Sequence, residues 1–305
     1  MRVFGRKSDI TAGASSSSPS RSTTDPSPRY EALRMFYRNK AAVMGMIIFI
    51  VILFISFVLP LLITTDKGAY VAPRHTPPFT ADGPIFGSDY LGRDVALVVM
   101  NGGQTTLKVA GFAALLIVAF GALVGAIAGY FGGWRDRVLM KFTEFFQVLP
   151  GLLFAIVIVA LFGASTMTVV LAIGIVSWPP IARQTRSEFL KQKNLEYVKA
   201  ARAIGCSNSR IMFSTILPNT LPILIVQGTL AMGTAILFEA GLAFLGIGDP
   251  NNLSWGYYVG LSRQYFLSNW WAVTVPGLMV FFTVLSLSLI GDGIQDAVNP
   301  KLRGR

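Results

Sequence analysis

Charge is scarce in this chain. Aspartate, glutamate, lysine and arginine make up 13% of its 305 residues and hydrophobic residues 53%, which excludes an ordinary water-soluble domain and leaves room for about six bilayer crossings. There is one cysteine, Cys206, so an internal disulfide is excluded, and its place in a polar loop fits a reduced compartment. The single histidine, His75, has no cysteine or histidine companions, which excludes an ordinary zinc site. No G-x-x-x-x-G-K-[ST] cradle occurs, so any ATP used must be bound by another chain. HExxH and G-x-S-x-G are likewise missing. Gly246 to Asp249 reads GIGD, but no second aspartate lies within an apolar run to complete a carboxylate dyad. The chain is therefore read as non-catalytic, with no cofactor of its own.

What is present is a series of long apolar runs. Residues 1–28, rich in Ser, Thr, Pro and Gly, have little to bury and are expected to form a disordered tail. In 29–42, Leu33, Phe36 and Tyr37 stand among Arg34, Arg38 and Lys40, the pattern of an amphipathic interfacial helix. Residues 43–63 form an uncharged run read as a retained first transmembrane helix. Further runs at 109–130, 145–161, 167–181, 221–245 and 271–290 bring the count to six. The predicted fold is all-α and polytopic. A loop over 64–104 separates the first span from a core domain over 105–292, and 293–305 form a C-terminal tail. Segments 1–42, 131–143, 183–218 and 292–305 hold 8, 3, 7 and 3 of the 26 lysines and arginines, whereas 64–104 and 242–270 hold 3 and 1. The positive-inside rule then places both termini in the cytoplasm. The same rule accounts for the net charge of +11 without a nucleic-acid partner.

Within the spans, Pro150 followed by Gly151, and Pro179 followed by Pro180, predict kinks or breaks. These serve either helix packing or a translocation path. Glu239 is the ionisable residue of the fifth run. It is either satisfied by solvent or a neighbouring helix, or takes part in the pathway or its gating. Pro150, Pro179 and Glu239 are thus the candidate pathway residues.

The polar insert LEYVKAARAIGCSNSRIMFSTILP, residues 195–218, interrupts the apolar series. Leu195, Val198, Ala201 and Ile204 recur at three-residue steps, predicting an apolar helical stripe with Glu196, Lys199 and Arg202 solvated. Gly205 can end that helix in the left-handed conformation, Ser207 or Asn208 can cap the next, and Pro218 is expected to stop it. Ala200 and Ala201, then Gly205, then Leu217 and Pro218 resemble the EAA loop of permease subunits in binding-protein-dependent ABC importers, with Lys199 where that family usually has glutamate. FGSDYLGRDV, residues 86–95, resembles the dipeptide, oligopeptide and nickel branch of those importers. Asp89 and Arg93 there are spaced for a helical ion pair. The first inner loop, YFGGWRDRVLMKFTE, the stretch EAGLAFLGIGDPNNLSWG and the segments NWWAVTVPGLMVFF and LIGDGIQDAVNPKLRGR extend the resemblance over about residues 30–305.

The resemblance implies an ABC type I importer permease in a prokaryotic cell membrane. Its implied partners are a homologous permease, two ATP-binding subunits and an extracytoplasmic solute-binding protein, with the bilayer around it. Glu196, Lys199, Ala200, Ala201, Arg202, Gly205, Leu217 and Pro218 would form the ATPase-coupling loop. Di- or oligopeptides head the implied substrates, with nickel chelates and oligosaccharides behind. A secondary carrier is the alternative, though sparse intramembrane charge and a docking loop both speak against it.

Overall fold

A computed structural model of the chain describes residues 34–63 and 70–298. The expected tail over 1–28, the first residues of the 29–42 helix, loop residues 64–69 and the end of the C-terminal tail, 299–305, lie outside the described residues.

After a short helical stretch over 34–38, Asn39 caps helix α1, Lys40–Leu62, its Oδ1 accepting from the amides of Ala41 and Ala42 at 3.1 and 3.2 Å. Near its end, Phe54–Val58 forms a wider π turn. The reason is Pro60, which lacks an N–H and whose ring crowds the carbonyl four residues earlier. Helix α2, Val95–Phe131, is 37 residues long, about 55 Å against a bilayer core of about 30 Å. Asp94 caps it, accepting from the Ala96 amide at 2.8 Å, and Gly132 and Gly133, both at positive φ, turn the chain out of it.

The two proline-marked spans are broken. Helices α3, Gly133–Val148, and α4, Gly151–Phe162, meet at 87°, whereas α5, Thr166–Ser177, and α6, Pro179–Gln192, meet at 47°. Short α7, Glu196–Ala203, leads into α8, Asn208–Phe244; α9, Trp255–Ser262, and α10, Trp271–Val298, complete the described residues. Among the described residues, four helices are long and apolar enough to cross a membrane, and six crossings result if each bent pair is one span.

Two local expectations are corrected. Pro218 does not stop a helix, because a π turn over Ile211–Ile216 makes room for its ring and α8 runs on through it and Pro222. Asp89 and Arg93 do pair, Oδ2 to Nε at 2.7 Å, but in a tight loop. Asp89 also accepts from the amides of Leu91 and Arg93, each at 2.8 Å, and Gly92 between them has φ +90°, which no helix permits.

Helix α2 is the axis of the fold. Gly121, Gly125 and Gly129 present a side-chain-free groove in which α6 lies backbone to backbone. A Cβ on Gly121 would stand 2.7 Å from Ile181 Cβ, one on Gly125 2.7 Å from Thr185 Cβ, and one on Gly129 2.7 Å from Phe189 Cβ. On its other faces, Ile117 joins Ile173 of α5 and Ile236 and Leu242 of α8 in the main apolar core. Helices α1 and α10 pack with the same economy, Gly45 against Leu289 and Gly293 against Ala42.

Candidate functional site

The insert folds as a hairpin at the end of the bundle where α2 finishes. Helix α7 ends in a Schellman arrangement: Cys206 N–H donates to Ala201 O and Gly205 N–H to Arg202 O, both at 3.1 Å, with Gly205 at φ +82°. Space is open around Gly205, so glycine is required there by conformation and not by crowding. Ser207 then caps α8, its Oγ accepting from the Arg210 amide at 3.4 Å.

Side-chain bonds hold this hairpin to the helices that cross the membrane. The Tyr130 hydroxyl, at the end of α2, donates to Asn208 Oδ1 at 2.7 Å, and just before the hairpin Lys193 Nζ, at the end of α6, donates to Gly129 O at 2.9 Å. Val198 is fully buried among Ala126, Tyr130, Phe189, Ile211, Met212 and Ile216. On the flank, Arg186 of α6 grips Asp136 of α3.

The apolar stripe expected on α7 is divided. Val198 and, in part, Ala201 face inward, while Leu195 is 49% and Ile204 81% exposed. Each three-residue step falls about 60° short of a full turn, so four such positions fan across half the helix. The outward face holds Ala200, Ala203 and Ile204, with Lys199 and Arg202 also exposed and Glu196 pairing with Lys199 at 3.1 Å. Leu217 packs at the junction of the hairpin cluster and the main core, and Pro218 is exposed.

Pro150 occupies the 87° break and Pro179 opens α6 after the 47° bend. The first break abuts α5 and α8, since a Cβ on Gly151 would meet Val176 at 2.9 Å and Phe238 at 3.2 Å. Glu239 is 4% exposed. It is enclosed with the hydroxyls of Thr106 and Ser254, and its Oε2 makes no hydrogen bond among the described residues. Protein neighbours, not solvent, surround it.

The opposite end of the bundle is clasped by polar and aromatic side chains. Asp249, the aspartate of GIGD, ties its loop to the start of α5, its Oδ2 accepting from the Thr166 amide at 3.0 Å, the Thr166 hydroxyl at 2.6 Å and Asn252 Nδ2 at 3.0 Å. Its Oδ1 accepts from the Asn251 amide at 2.9 Å. Burial pushes this carboxyl up, but the bonds from Thr166, Asn252 and Asn251 outweigh it and hold the pKa down to about 2. Trp255 and Trp271 are buried locks, donating to the carbonyls of Val99 at 2.7 Å and Ser88 at 3.0 Å. Sequence patterning missed all of these bonds, because their partners lie far apart in the chain.

Broken spans thus surround a long central helix, and a short helix is anchored across one end. A chain of the MetNI methionine ABC transporter, described as inward facing, superposes with a TM-score of 0.55 at 19% identity, over 66% of this chain and 96% of that one. That likeness establishes the fold. The family model described as "binding-protein-dependent transport system inner membrane component" matches residues 121–304, and the "N-terminal TM domain of oligopeptide transport permease C" matches 27–78. The chain belongs to the family of binding-protein-dependent transport system inner membrane components, and is a multi-pass cell-membrane protein. Among its relatives, a dipeptide transport system permease protein of Alkalihalophilus pseudofirmus is 36% identical over 99% of this chain and 100% of the relative. A di/tripeptide transport system permease protein of Pseudomonas aeruginosa is 35% identical over 91% and 94%, and a dipeptide transport system permease protein of Haemophilus influenzae 34% over 90% and 96%.

Proposed function

We propose that this chain forms half of the translocation pore of an ATP-driven importer for di- or oligopeptides. Its partners are a homologous permease, two ATPases on the cytoplasmic face and a solute-binding protein outside. The chain itself performs no chemistry and binds no cofactor; ATP is held by the ATPases. The peptide assignment rests on the names of relatives that match nearly end to end. The cytoplasmic position of the hairpin rests on the distribution of lysine and arginine. Family membership sets the secondary carrier aside.

One observation carries the coupling role: α7 has two apolar sides with different owners. Its inner side, Val198, is buried against α2, α6 and α8, while Ala200, Ala203 and Ile204 are left uncovered on a helix rimmed by Lys199 and Arg202. An amphipathic helix seated in an ATPase groove would transmit closure of the ATPases to the attached helices. On this reading the breaks at Pro150 and Pro179 border the path, and Glu239 braces α8 against α2 beside it.

Substituting Ile204→Glu tests this directly. Pull-down of the ATPases and uptake should both fall at least tenfold while the variant reaches the membrane in normal amount; wild-type uptake would refute the coupling role. Ala201→Glu is a poorer test, since Ala201 also packs on the hairpin's interior.

A further inference from the structure

At the clasped end, α2 and the loop before α9 border a half-open cavity of about 430 Å³. Asn101, Gln104, Thr105 and Lys108 line it from one face of α2, one to two turns apart, and Asn251 and Asn252 face them. Lys108 is exposed and has no acidic partner among the described residues. Its Nζ lies 6.0 Å from the Phe57 ring, a contact that leaves its three hydrogens without acceptors. The carboxylate associated with this cavity, Asp249, is already occupied by Thr166, Asn251 and Asn252.

An ammonium group at the start of an apolar run, on a helix that crosses the membrane, needs water or an anion. Beside it the Gln104 amide and the Thr105 hydroxyl are free to donate to carboxylate oxygens, whereas Asn101 Nδ2 already donates to Leu97 O at 2.8 Å and Asn252 Nδ2 to Asp249. Cavities of roughly 300–1,000 Å³ hold small ligands, and a dipeptide is of that order. The wall is about half polar, unlike the apolar groove between Phe120, Phe142, Phe146 and Trp178 on the bundle's side.

Resting on the importer reading above, we propose that this cavity is an entry subsite that receives the terminal carboxylate of the incoming peptide. Lys108 pairs with the carboxylate, and Gln104 and Thr105 orient it. The subsite lies at the end of α2 remote from the hairpin, so it is filled before the ATPase-driven step.

The test uses the complete transporter in proteoliposomes, with L-alanyl-L-alanine as probe and solute-binding protein at saturating concentration, so that receptor affinity does not limit the rate. Variants are Lys108→Gln, Lys108→Arg and Lys108→Glu. Lys108→Gln should lower initial uptake about tenfold, the loss expected for one charge-assisted bond. Lys108→Glu should lower it further, and Lys108→Arg should restore it to within about threefold of wild type. Receptor-stimulated ATP hydrolysis should persist in all three. Wild-type uptake by Lys108→Gln, or equal loss in the Arg and Gln variants, overturns the proposal. So does failure of Lys108→Gln to assemble with the second permease, which would make Lys108 an interface residue. Wild-type complexes that carry no dialanine would instead contradict the peptide-importer reading itself.

Discussion

Arg186 of α6 holds Asp136 of α3 through two parallel hydrogen bonds, Nε to Oδ1 at 2.5 Å and Nη2 to Oδ2 at 2.7 Å. Asp136 sits in the first turn of α3, so the guanidinium fixes the start of that helix to α6. The pair is only partly screened by solvent, with the Arg186 side chain 34% and that of Asp136 15% exposed. Asp136→Asn should cost about 1–2 kcal/mol after allowance for that exposure. Thermal unfolding in detergent, compared across both single variants and the double variant, measures the coupling.

Close packing of α2 on α6 gives a second expectation. Gly125→Ala would press a methyl against the backbone of α6 and Thr185, costing about 1–3 kcal/mol. Gly111, on the same helix, has nothing within 4 Å of an added Cβ, so Gly111→Ala should be neutral or stabilising by up to about 1 kcal/mol. Thermal unfolding of the two variants in parallel checks both.

The two sides of α7 should separate by measurement. Val198→Ala opens a hole in the hairpin cluster and should cost about 2 kcal/mol, read as earlier thermal unfolding or faster proteolysis of the hairpin. Ile204→Glu, by contrast, should shift stability by less than about 0.5 kcal/mol while abolishing capture of the ATPases.

Acid should loosen the opposite end. The carboxyl of Asp249 has a folded pKa of about 2 against an ordinary 3.8, so its contribution is present in full above about pH 4 and is lost as pH falls toward 2. Melting temperature measured from pH 6 down to 2.5 should show this loss in the wild type. In Asp249→Asn that component of the pH dependence should vanish and stability at pH 6 should be lower.

The apolar runs made the crossings legible because hydrophobicity over twenty residues is a strong signal, and Pro150 and Pro179 marked the breaks because proline acts on its own helix. Gly205 was legible for the same local reason. Pro218 misled, since relief of a proline by a wider turn depends on the preceding backbone and leaves no mark in residue type. The split of Val198 from Ile204 was hidden in a spacing that drifts around the helix. Tyr130 and Asn208, or Asp136 and Arg186, are 78 and 50 positions apart, and nothing in the sequence pattern pairs them.

Helix α2 reaches from the loop clasped by Asp249 to the hairpin without a break, and Lys108 and Tyr130 lie on it about 33 Å apart. It acts as a strut. Any tilt of the hairpin would swing the mouth at the far end in the same stroke, because one stiff rod admits no lag between them.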